Sequence, residues 1–138
     1  APTDRHPDHG KGAELVKIAS FLSGLRRIET KLNGEYQEAY RPRLILQYIQ
    51  FQNLSAQIIL NIGDKMETKM KSILAYKSQF YDPNSNEPKT VISSENFMES
   101  LRYRSRDMGR LIGVDYAEGF LSPQDIGTDD IMNLYSVR

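Results

Sequence analysis

The chain has no cysteine, no tryptophan and only two histidines among its 138 residues. Without cysteine there can be no disulfide, no thiolate nucleophile and no Cys-ligated zinc. Metal or acid–base chemistry is left to His, Asp, Glu, Lys and Tyr. Charge of one sign is also lacking: 18 Lys and Arg balance 18 Asp and Glu. A nucleic-acid binder carries a basic excess or stripe, so this balance argues against one. No apolar run approaches the about 20 residues of a membrane-spanning helix. No membrane partner is therefore expected, and a cytoplasmic location is the default. What is present suits an ordinary globular domain: 39% hydrophobic and 26% charged residues are too apolar a mixture for a disordered tail. The length favours a single domain with a modest core.

Apolar periodicity divides the chain. Residues 11–29 place Leu15, Ile18, Ala19, Leu22, Leu25 and Ile28 at helical spacing, predicting an amphipathic helix with Gly10 and Gly12 at its entrance. Residues 30–42 read as a loop around the Asn33-Gly34 turn signal. Short apolar runs at 44–49 and 57–62 predict two buried strands. Asp64 and Glu67 have capping-box spacing, predicting a helix that ends near Gln79 and packs Met66, Met70, Ile73 and Leu74 into a core. Ser93 or Ser94 caps a third helix, from Glu95 to about Met108, with Phe97, Leu101 and Met108 as its candidates for burial and Gly109 and Gly113 bracketing its C-terminal end. A last strand is expected over 114–120, and a terminal helix or arm over 125–138. Helices alternating with buried strands indicate an α/β domain.

The stretch best equipped for chemistry is Asp4-Arg5-His6-Pro7-Asp8-His9-Gly10, which holds both histidines. Neutral imidazole is the commonest zinc ligand, and carboxylates are its usual companions. Pro7 stiffens the stretch, and a following helix would point its positive end at the same place, where a developing oxyanion is favoured. The opposing reading is an exposed arm in which two histidines are close by accident. Elsewhere, Arg102, Arg106 and Arg110 recur at i, i+4 and i+8, a solvated helix face or an anion site for a dicarboxylate. Tyr116 and Glu118 read first as packing residues, and Lys77, Ser78 and Gln79 as the end of a helix. The chain opens Ala1-Pro2-Thr3 without Met, and the expectation is that it starts inside a larger protein.

The Asp4–Gly10 stretch resembles the second metal motif of the LmbE-like, or GlcNAc-phosphatidylinositol de-N-acetylase-like, zinc deacetylases. The run from Ile73 to Phe80 is similar to that family's helix ending in Ser-Gln. Leu111-Ile112-Gly113-Val114-Asp115-Tyr116-Ala117-Glu118-Gly119-Phe120 resembles the C-terminal block of its bacillithiol-biosynthesis branch. The three blocks follow in the family's order over residues 4–120.

The resemblance implies a Rossmann-like three-layer α/β deacetylase domain, of which residues 1–138 would be the C-terminal portion without the N-terminal strands. It implies a zinc-dependent amide hydrolase that removes the acetyl group from an N-acetylglucosamine conjugate, N-acetylglucosaminyl malate in bacillithiol synthesis. The cofactor implied is zinc, with His9 as the third metal ligand. His6 would meet the charge of the tetrahedral intermediate, and Asp8 would orient His6. The family's homo-oligomeric assembly, of which a hexamer is one form, is implied as well. The Ala-His-Pro-Asp-Asp-type motif that supplies two zinc ligands and the general base in the family is absent, and Asn61 stands where the branch would have Asp. The metal site is therefore expected to be incomplete in this chain and the chain alone inactive. The alternative is a non-catalytic α/β binding or scaffold fragment with a vestigial His-Pro-Asp-His loop.

Overall fold

The computed structural model describes residues 1–134, in two compact units: Ala1–Ile58 with Phe120–Leu134, and a second beginning with Ile59–Gly119. The elements are mixed α/β: three α-helices, two small sheets and short 3-10 turns. None of the described helices is long and apolar enough to cross a membrane.

In the first unit, α1 spans Pro7–Leu22. It begins four residues earlier than periodicity predicts because Pro7, with no N–H to leave unpaired and a preset φ, occupies the first turn behind His6 as N-cap. Gly10 and Gly12 are thus inside the helix, and Leu25 and Ile28 lie beyond its end. No residue of α1 is buried. The stretch expected to be a loop is a hairpin, β1 (Thr30–Leu32) and β2 (Glu35–Gln37), with Lys31 opposite Tyr36. Asn33 (φ 53°) and Gly34 (φ 88°) form its two-residue turn, both in the left-handed region that such a tight connection requires. All six strand residues are exposed, so the hairpin has no apolar alternation to betray it.

The expected strands at 44–49 and 57–62 shorten to β3 (Gln47–Tyr48) and β4 (Ile58–Asn61), and neither contains a buried residue. The strand expected over 114–120 is β5 (Ala117–Leu121), in which Ala117 and Gly119 are buried. It pairs antiparallel with β3, Gln47 facing Leu121, and is the middle strand of the order β3-β5-β4. Near the C-terminus Ile131–Leu134 form a 3-10 turn, and the rest of the predicted terminal helix or arm, 135–138, lies outside the described residues.

The second unit is built on methionine. Ile62, Met66, Met70 and Met98 are buried together, with Ile73, Phe80, Phe97, Leu101 and Tyr116 packed around them. Met66 and Met70 come from α2 (Met66–Leu74), as their i, i+4 spacing predicts. The entrance of α2 differs from the expected capping box. A 3-10 turn, Gly63–Lys65, feeds the helix, Lys65 is its N-cap, and no side chain caps it. Asp64 instead pairs with Lys65 at 2.7 Å and Glu67 with Arg102 at 2.9 Å. The helix also stops at Leu74, so Lys77, Ser78 and Gln79 lie in the turn beyond it. In α3 (Glu95–Ile112) Ser94 is the N-cap, accepting the Phe97 N–H at 3.2 Å. The helix runs past Met108 to Gly113, a left-handed C-cap at φ 73°, with Gly109 buried within its last turn.

Candidate functional site

The histidines are placed by the start of α1. His6 has the extended backbone of an N-cap (φ −89°, ψ 128°), and its Nδ1 accepts the Asp8 backbone N–H at 3.3 Å. A ring nitrogen that accepts a backbone N–H carries no proton, so the neutral His6 ring holds its proton on Nε2. The His9 N–H bonds back to the His6 carbonyl at 3.2 Å, closing the first turn. That turn brings the two rings to 5.6 Å between centroids, tilted by 41°.

His9 has the opposite arrangement. Its Nδ1 lies 2.9 Å from Oδ2 of Asp4. The Asp4 side chain is 1% exposed against 39% for His9. Burial by itself opposes ionisation of Asp4. Hydrogen bonds from His9 and from the backbone N–H groups of Arg5 and Phe51, together with attraction to His9, outweigh it and hold the carboxyl below its ordinary value. Asp4 is therefore an ionised, acceptor-only group, and the proton in the bond belongs to His9 Nδ1. Nε2 of His9 is left without a proton in the neutral ring, free to act as a ligand or base.

Asp8 is the residue to which the resemblance gives the role of orienting His6. Its Oδ2 lies 3.7 Å from His6 Nδ1, within ion-pair range but outside hydrogen-bond distance. Asp8 is 83% and His6 53% exposed, so solvent screens their attraction. The carboxylate built into the structure beside an imidazole is that of Asp4. The resemblance gives the imidazole-orienting role to Asp8 and none to Asp4, although both lie two residues from His6. The signal that could have found it is the turn itself: once Pro7 starts the helix, residue 9 folds back toward residue 4.

The donor chemistry of His9 fits one position of a zinc centre, where a ligating imidazole usually gives its other N–H to a carboxylate. His6 does not extend that set in the arrangement observed, since its Nδ1 is occupied by the Asp8 N–H. Among the described residues there is no group of three or more His, Cys, Asp or Glu side chains that could hold a metal ion. These residues therefore fit a share of a zinc site and not a complete one.

The remaining candidates are in structural contacts. Arg102 pairs with Glu67 and also hydrogen-bonds Tyr116, Arg106 lies 5.4 Å from the centre of the same Tyr116 ring, and Arg110 pairs with Asp107 at 2.8 Å. Glu118 accepts from Lys69. Asn61 Oδ1 accepts the Gly63 N–H at 2.9 Å, shaping the turn into α2.

No family model matches the chain. Among solved structures it is similar to TT1542, a conserved protein from Thermus thermophilus, with a TM-score of 0.74 and 26% sequence identity. The match covers 93% of this chain and 51% of that one, so the chain spans about half the length of the Thermus protein and shares its fold over nearly all of its own.

Proposed function

We propose that this chain is the C-terminal part of a zinc-dependent N-deacetylase of the LmbE-like kind, with a Rossmann-like three-layer domain completed by polypeptide outside it. Its substrate on this reading is an N-acetylglucosamine conjugate, N-acetylglucosaminyl malate, whose amide is hydrolysed to acetate and a free amine. The observation that carries the reading is the opposite hydrogen bonding of two imidazoles in one helical turn. His9 gives its Nδ1 proton to buried Asp4 and keeps Nε2 free for a metal. His6 takes a backbone N–H on Nδ1 and so presents an N–H at Nε2. One ring is a ligand and the other a donor, which is the division of labour that amide hydrolysis at a metal needs. The match to about half of a longer protein agrees with a site completed elsewhere.

Zinc, when bound, supplies Lewis acidity to the acetyl carbonyl and the attacking water. His6 Nε2–H would face the oxygen on which negative charge develops, close to the N-terminus of α1, whose dipole favours that charge. Asp8, in the first turn and exposed, adds negative charge beside His6 without fixing its ring.

The test is zinc content and turnover of the intact parent protein. His9→Ala is expected to remove stoichiometric zinc. His6→Ala is expected to keep zinc and lose release of acetate from N-acetylglucosaminyl malate. Equal zinc loss in both variants would defeat the division of roles. A parent protein without stoichiometric zinc would favour the scaffold reading.

A further inference from the structure

The side chain of Asp4 is covered although the residue as a whole is only half-buried, in a unit whose helix buries nothing. Its side chain is 1% exposed, yet it lies in the irregular segment that leads into α1. Every interaction it makes has a donor on the other side: the Arg5 N–H to Oδ1, the Phe51 N–H, and His9 Nδ1 at 2.9 Å to Oδ2. Backbone donors fix the carboxylate before any side chain is considered, since neither can move without the chain moving. The side chain it then fixes is that of His9, which is more exposed and would otherwise turn about its own side-chain bonds.

We propose that Asp4 is a positioning residue. Its buried carboxylate holds the Nδ1 proton of His9, locks that ring in one orientation and one tautomer, and thereby presents unprotonated Nε2 as a donor atom for a divalent metal ion. His6, whose Nδ1 is tied to the Asp8 N–H, has the other tautomer, so the two rings can be told apart in one experiment. The inference rests on the reading of His9 as a metal ligand, and it adds the residue that makes His9 competent.

The experiment uses this chain, labelled with 15N in its histidines, and needs no turnover. Two-bond 1H–15N spectra of the neutral rings are expected to place the proton of His9 on Nδ1 and that of His6 on Nε2. In Asp4→Ala the His9 pattern should collapse to a tautomer mixture while His6 is unchanged. Asp4→Leu gives the same readout with the side-chain volume retained, should the smaller residue loosen the segment. Asp4→Asn, whose carboxamide oxygen still accepts, should keep the His9 pattern. In the intact parent protein, cobalt(II) titration read by line broadening at His9 should show affinity falling about 10–100-fold in Asp4→Ala, the usual effect of removing such an outer partner. An unchanged His9 tautomer in both Asp4→Ala and Asp4→Leu would overturn the positioning role and leave the metal reading standing. Cobalt binding by the intact parent undiminished by His9→Ala would overturn the metal reading itself, and with it the purpose assigned to Asp4.

Discussion

The two units use apolar residues in opposite ways. In the second, Ile62, Met66, Met70 and Met98 are buried against one another, and flexible thioethers fill the space between a 3-10 turn and two helices. In the first, α1 carries Leu15, Val16, Ile18, Phe21 and Leu22, all of them exposed, from 40% at Leu22 to 67% at Leu15. At 3.6 residues per turn these five side chains spread over more than half of the helix circumference. A helix apolar on most sides belongs inside a core, not on its edge. The comparison teaches that apolar content and burial are separate facts: the second unit has a core, and α1 has the surface of a core helix. The candidate chemistry sits at the beginning of that helix and not in the unit with the core.

The sharpest way to break this contrast is one truncation in each unit. Met66, 1% exposed, should lose about 2–5 kcal/mol of stability as Met66→Ala, through lost transfer energy and an unfilled cavity. Leu15→Ala should stay within about 0.5 kcal/mol. Urea denaturation of both variants reads the difference, and equal losses would mean that α1 is covered by something in solution. Native-state hydrogen exchange sharpens the same point: amides of α1 should open at a lower free energy than those of α3, which packs on the methionine core.

Smaller effects test how the second unit is closed. A Cβ on Gly109 would come within 2.5 Å of the Val114 carbonyl oxygen and 3.0 Å of the Asp115 carbonyl carbon. These are backbone atoms that cannot swing aside, so Gly109→Ala should destabilise by about 1–3 kcal/mol. Ser94→Ala removes the oxygen that accepts the Phe97 N–H and should reduce stability by about 1 kcal/mol. Thermal or urea midpoints of the two variants place them in that order, and Ser94→Ala matching Met66→Ala would show that the cap, not the core, limits this unit.

The same contrast explains what the sequence could reveal. The Met66/Met70 stripe was legible because its spacing and burial agree, although Leu74, expected in the same core, is 41% exposed, and the Ser94 cap was legible because its residue type fits the start of α3. The β1–β2 hairpin was not, because its six strand residues are exposed and only Asn33-Gly34 marks it. The entrance of α2 misled because Asp64 and Glu67 have capping spacing but spend their charges on Lys65 and Arg102. At the candidate site the residue types were legible and their pairing was not. His6 and His9 are both in the first turn, but the carboxylate in hydrogen-bond contact with an imidazole is Asp4, five residues before His9. Spacing along the chain cannot show that Asp8 faces solvent while Asp4 turns inward.

That pairing yields the smallest and most local effect. The carboxyl of Asp4 is held below its ordinary value, so its ionised form is stabilised by folding of this segment. Such a group contributes stability that is fully present above the ordinary carboxylate range and is lost as pH falls through the lowered folded-state value. Protection of the amides of Asp8 to Gly12 should therefore be flat from neutral pH down to that range and then decline as Asp4 is protonated. Asp4→Asn has no charge to lose at this position and should start lower and show no such decline. Asp8→Asn should keep the acid decline, because its carboxylate is 83% exposed and 3.7 Å from the nearest histidine nitrogen. What Asp8 does contribute is charge at the start of α1, a helix-dipole effect that salt screens within about a Debye length. Raising the ionic strength should thus erase the difference between Asp8→Asn and the parent while leaving that between Asp4→Asn and the parent largely intact. Hydrogen exchange at low and high salt measures both, and an acid decline that follows Asp8 instead of Asp4 would reverse the assignment of the two aspartates.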